Sequence, residues 1–125
     1  MRTFLFVCAA GAAGSGARYL FVQWTQRAFG EAFPWGVFGV NIAGSFLIAL
    51  LAILAVSKVD IVTPELRAIL GVGFLGGLTT YSSFNQDTLA MFDRRQYGTA
   101  ALYIAATIVV CLGAGFVGTA LGRRL

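Results

Sequence analysis

Histidine is absent from this chain, and charge is scarce. Without histidine, imidazole metal ligation and imidazole general-base catalysis are excluded. Charged residues make up 11% of the 125 residues, against about 25% in soluble domains. No block of like charge exists, and the basic residues sit at the ends of apolar segments, so no nucleic-acid partner is expected. The two cysteines, Cys8 and Cys111, lie far apart and form no CxxC pair. Neither suggests a metal site, and they read as small apolar fillers or minor pore-lining groups. Three of the four apolar segments carry no Asp or Glu. An intramembrane carboxylate is the usual requirement of a proton-coupled exporter of cations. Asp87, near the end of the third segment, is the only candidate.

What remains is 58% hydrophobic, with a mean hydropathy of +0.83 and 16 glycines. Such a composition belongs to an integral membrane protein, with glycines that let helices approach closely. Four hydrophobic segments are each near the roughly 20 residues that cross a bilayer. They run over residues 3–24, 35–56, 68–92 and 97–122. Met1-Arg2 and the apolar run behind it look like a signal peptide, but three more apolar segments follow instead of a polar domain. The run is therefore expected to stay as the first span, and Leu5-Phe6-Val7-Cys8 is a poor lipoprotein site. Pro64 is placed to start the third helix, and Asp93 to Gln96 forms a tight turn. Residues 1–125 are expected to be one all-α, four-span membrane domain, multi-pass in the inner (plasma) membrane.

Four spans bring both termini to one side, with Arg2, Lys58, Arg67, Arg123 and Arg124. Arg27, Arg94 and Arg95 lie on the other side. So small an asymmetry permits insertion both ways, while the first helix alone could still set one orientation. Small residues recur every fourth position at Gly73/Gly77, Gly39/Ala43 and Ala114/Gly118/Gly122. Ordinary helix packing explains all of them.

The third segment is interrupted by Gly76-Gly77-Leu78-Thr79-Thr80-Tyr81-Ser82-Ser83-Phe84. Glycine weakens a helix, and Ser and Thr offer its backbone competing hydrogen bonds. Broken backbone at membrane depth survives where protein buries it or where it lines a cavity, so this run marks an ion or substrate site.

Other residues bear on chemistry. Asn41 lies in an uncharged span and reads either as interhelical glue or as an amide donor on a polar pathway. Arg18, the only basic residue inside a span, either snorkels to the interface or forms an electropositive vestibule. Tyr103, Thr107 and Cys111 share one helical face. They form a ladder of weak donors, unless Thr107 bonds its own helix and Tyr103 sits at the interface. Tyr81 and Phe84 either pack together or offer positive ring edges to an anion.

These residues resemble the Fluc/CrcB family of small bacterial fluoride channels over nearly the whole chain. The likeness rests on Gly11-Ala12-Ala13-Gly14-Ser15-Gly16-Ala17-Arg18-Tyr19, on Asn41 to Phe46, and most specifically on Gly73 to Phe84. It implies an antiparallel, dual-topology homodimer in the lipid bilayer, with the third helix broken mid-membrane. It also implies a structural sodium ion at the dimer axis, held by the main-chain carbonyls of Gly76 and Thr79. The implied fluoride path is Asn41, Tyr81, Phe84, Tyr103, Thr107 and Cys111, with Arg18 in the vestibule. Tyr81 departs from the family, which usually has Phe there. The implied function is passive, fluoride-selective conduction that relieves fluoride toxicity, with no enzyme activity. A branched residue at Gly76 is expected to distort the break. The alternative is a proton-coupled exporter of small cations of the small multidrug resistance type, and a weaker one is a non-transporting assembly subunit.

Overall fold

The computed structural model describes every residue, Met1–Leu125. The chain is helical throughout, with α1 at Arg2–Phe29, α2 at Trp35–Ser57 and α6 at Tyr97–Gly122. These three helices are long and apolar enough to cross a membrane. Between α2 and α6 lies a composite third segment: α3 (Pro64–Arg67), a π-helical run (Ala68–Leu75), α4 (Gly76–Leu78) and α5 (Tyr81–Asp93). Thr79 and Thr80 interrupt it, both in extended backbone.

Local chemistry sets the ends. Thr63 caps α3, with the Leu66 N–H donating to its Oγ1 at 3.2 Å and Pro64 in the first turn. Gly30 ends α1 at φ 78°, a left-handed conformation that glycine adopts without steric cost. α1 therefore runs past the expected limit at Trp24, because nothing breaks the helix before Gly30. Arg95 takes φ 57° in the turn between α5 and α6, where the Gln96 N–H reaches the Met91 carbonyl at 2.8 Å.

α2 lies along α6, while α1 lies along the π-helical run and α4. Close backbone approach makes both seams. A Cβ at Gly77 would overlap the Gly11 carbonyl, and one at Gly118 would overlap the Phe46 carbonyl. The recurring small residues at Gly73/Gly77 and Gly118/Gly122 thus serve packing. At Gly76, by contrast, a Cβ would meet only the Gly71 carbonyl at 3.6 Å, an ordinary contact. The steric weight at the break falls on Gly77 rather than on Gly76.

Only 16 of 125 residues are buried, so most apolar side chains need cover from lipid or another chain. The one sizeable internal cluster is Met91, Ala100 and Tyr103, packed by Phe33, Phe38 and Phe84. It joins α5 to α6 and to the start of α2, immediately beyond the break.

Candidate functional site: a groove at the helix break

An unbroken helix would give the Gly76 carbonyl the Thr80 N–H as partner. Here the Thr80 N–H donates to Asn41 Oδ1 at 2.8 Å instead. Asn41 Nδ2 in turn donates to the Thr80 carbonyl at 3.0 Å. One side-chain amide from α2 therefore pairs with both backbone groups of Thr80, as a strand neighbour would. Of the two expectations for Asn41, interhelical glue is what the structure shows directly. One of the two Nδ2 hydrogens stays free for a further acceptor.

The Thr79 carbonyl has likewise lost its helical partner. The Ser83 N–H donates to Thr80 Oγ1 at 3.2 Å, making Thr80 the N-cap of α5. Arg18 Nη1 from α1 donates to the Thr79 carbonyl at 3.0 Å. Arg18 is half-buried and reaches the break rather than snorkelling. Ser15 Oγ, also on α1, lies 3.5 Å from the Gly77 carbonyl, and Thr79 Oγ1 donates back to the Leu75 carbonyl at 2.9 Å. Burying unpaired backbone is costly, and side chains of α1 and α2 offset that cost here.

Beside the break opens a groove of about 720 Å³. Asn41, Tyr81, Phe84, Thr107 and Cys111 all line it, as do Gly76 and Thr79. No charged residue does. Tyr81 is 78% exposed, and its ring centroid lies 5.7 Å from that of Phe84.

Tyr103 does not line this groove. It is fully buried behind it, with its ring 5.0 Å from Phe84 and edge-on to Phe33 at 5.3 Å. α6 turns the Tyr103 ring into the α5–α6 cluster rather than outward. The back-bond weighed for Thr107 is absent. Thr107 Oγ1 is buried without a protein partner, whereas the buried Tyr103 hydroxyl and the Asp87 carboxylate face each other. Buried polar atoms are nearly always paired, which sets the Thr107 hydroxyl apart from that of Tyr103. Asp87 lines a separate small cavity of about 220 Å³ with Gln26, Arg94 and Gln96.

Sequence reasoning assigned no role to Thr80 or Ser83. Their hydroxyls lie 3.1 Å apart at the head of α5. The signal was present for Thr80, since threonine just ahead of a helix start is a favoured N-cap. Ser15 gave no signal beyond its place in a glycine-rich run.

For a sodium ion the donor set fits in part. A carbonyl freed from helical bonding is a hard oxygen ligand, and Gly76 offers one with no backbone N–H on it from Thr79 or Thr80. Thr79 offers a second, already shared with the Arg18 guanidinium.

A family model described as "CrcB-like protein, Camphor Resistance (CrcB)" matches residues 5–119. The chain belongs to the CrcB family. Curated relatives match over its full length. It is 48% identical to a "Fluoride-specific ion channel FluC" of an Anaeromyxobacter species, over 100% of this chain and 98% of the relative. It is 47% identical to the protein of the same name from Agrobacterium fabrum, over 95% and 94%. It is 40% identical to that of Caulobacter vibrioides, over 100% and 98%. With three apolar helices of spanning length, this CrcB-family chain is a multi-pass membrane protein.

Proposed function

We propose that this CrcB-family protein is a passive, fluoride-selective channel that lets cytoplasmic fluoride leave the cell. One observation carries the reading. The groove at the break gathers an amide, hydroxyls, a thiol and aromatic rings, and no charged side chain lines it. Fluoride is small and strongly hydrated, so its water must be replaced by donors. Amide N–H, hydroxyl O–H and ring edges supply them without the tight grip of a fixed cation, so the ion can leave again. The relatives' name, fluoride-specific ion channel, supports the same reading over the full chain length.

In this mechanism Asn41 fixes the break and keeps one N–H for the ion. Phe84 and Tyr81 present ring edges, and Thr107 and Cys111 continue the donor track along α6. Tyr103, packed behind Phe84 with its hydroxyl beside Asp87, backs that track from the α5–α6 cluster. The exposed apolar faces of α1 and of the composite segment would be covered in an antiparallel homodimer in the inner membrane. Across that dimer's axis, Gly76 and Thr79 carbonyls from both subunits would hold a structural sodium ion. Bound there, sodium supplies a fixed positive charge that ties the two breaks together.

The small multidrug resistance alternative lacks its proton-coupling residue, because α1 carries no carboxylate. Fluoride-electrode recording of efflux from proteoliposomes, without a proton gradient, tests the function. The expected result is fluoride release with chloride retained. Release that needs a proton gradient, or equal chloride release, would refute it. Accessibility tags at the C-terminus are expected on both faces of the membrane, and tags on one face only would refute dual topology.

A further inference from the structure

Arg18 is a cation without a carboxylate. The ion pair in this chain is Arg2 with Glu65, at 3.5 Å on the surface. Arg18 instead spends its guanidinium on a main-chain oxygen, the Thr79 carbonyl, at 3.0 Å. That oxygen is free to accept it only because the chain is broken there and the Ser83 N–H has turned to Thr80 Oγ1. A guanidinium on a bare carbonyl satisfies the oxygen much as a metal cation would. The two cannot share the site freely, since like charges a few ångströms apart repel strongly in a poorly solvated setting.

We propose that Arg18 is an internal competitor of sodium at the break, so that guanidinium and sodium are alternative partners of the Thr79 carbonyl. The proposal rests on the sodium reading above and adds the residue that sets its affinity. Without sodium, Arg18 satisfies the oxygen and holds the break in shape. With sodium, the guanidinium is displaced from Thr79 and becomes a cation with no partner, available to an incoming anion. Sodium binding and the electropositive character of the vestibule are thereby coupled through one side chain. Asn41 takes no part in the exchange, because its amide is engaged on Thr80.

Two measurements test this. The first uses the unaltered protein, purified throughout in sodium chloride or in potassium chloride of equal strength. Phenylglyoxal, which modifies accessible guanidinium groups, is applied, and each arginine is followed by peptide mass spectrometry. Arg18 is expected to react several-fold faster in sodium, with Arg27 and Arg94 unchanged as internal references. Equal rates at Arg18 in the two salts would overturn the proposal.

The second measures thermal stability of the purified assembly against sodium concentration, since a ligand of the folded state raises it by mass action. Arg18→Gln keeps a donor and removes the charge, and it is expected to lower the sodium midpoint by about tenfold. Arg18→Lys keeps the charge and is expected to stay within about threefold of the parent. Equal sodium midpoints for parent and Arg18→Gln would overturn the competition while leaving the sodium reading intact. No stabilisation by sodium in any variant would overturn the sodium reading and the proposal together. Should Arg18→Gln fail to assemble, the phenylglyoxal comparison on the parent decides.

Discussion

The break and α6 face each other across one groove and treat their polar groups in opposite ways. At the break, Thr79, Thr80 and Asn41 are all engaged, and the displaced backbone is answered by Arg18 from α1 and Asn41 from α2. On α6 the helix is regular, yet Thr107, which lines the groove, carries a buried hydroxyl with no protein partner, while the Tyr103 hydroxyl lies behind it against Asp87. The first arrangement is architecture, since most of its groups are engaged in holding a shape, with one Asn41 N–H and the Gly76 carbonyl left over. The second is readiness, since a buried donor left unpaired destabilises the protein until a ligand or water meets it. If so, substitutions at the break should act first on folding, and substitutions facing the groove from α5 and α6 should act first on flux.

The largest expected effect sharpens the architectural side. Gly77→Val drives a side chain into the Gly11 carbonyl and should cost about 3 kcal/mol or more. Assembled protein should be lost on size-exclusion chromatography. Gly76→Val, whose Cβ meets only one carbonyl at 3.6 Å, should still yield folded protein. The reverse order would break the account of the α1 seam.

Asn41→Asp tests the residue that belongs to both sides. It removes the donor to the Thr80 carbonyl and places a negative charge on the groove. A like charge about 4 Å from an ion costs roughly 4 kcal/mol at an effective dielectric of 20. Fluoride flux should fall by about a hundredfold or more, with a smaller loss of thermal stability. Unimpaired flux would show that the groove does not carry the anion.

Phe84→Ile keeps bulk and removes the ring quadrupole. Flux should fall by about tenfold, the equivalent of about 1.4 kcal/mol, while the assembly stays folded. Phe84→Tyr should retain more activity. If folded Phe84→Ile conducts like the parent, the ring is packing for Tyr103 and nothing more.

Tyr81→Phe should do least. The side chain is 78% exposed, and exposed substitutions commonly shift energies by no more than about 0.5 kcal/mol. Flux is expected within about threefold of the parent. A larger change would give the Tyr81 hydroxyl a place in the ion path.

How far the sequence revealed this depends on whether a feature is local. The interruption at Thr79–Thr80 was legible because Gly76 to Ser83 weakens a helix residue by residue, and the Pro64 start was legible for the same reason. Arg18 was legible as an unusual intramembrane cation, but its partner was not. A main-chain carbonyl 61 residues away has no signature in composition or spacing. The π-helical run over Ala68–Leu75 was equally hidden, since its residues would suit an α-helix and no local signal marks the change. The spacing of Tyr103, Thr107 and Cys111 fixed a common face. It could not show that Tyr103 turns into the α5–α6 cluster while Thr107 and Cys111 open on the groove.

The contrast between consumed and waiting hydroxyls is tested most directly by one paired measurement. Thr80→Val and Thr107→Val remove one hydroxyl each at nearly constant volume, and fluoride efflux and thermal unfolding are recorded on the same preparations. Thr80→Val should lose about 1 kcal/mol of stability with its helix cap. Thr107→Val should be as stable as the parent or more so, because an unpaired buried group is gone, and yet conduct fluoride more slowly. A Thr107→Val protein that unfolds more easily while conducting fluoride at the parent rate would contradict the account.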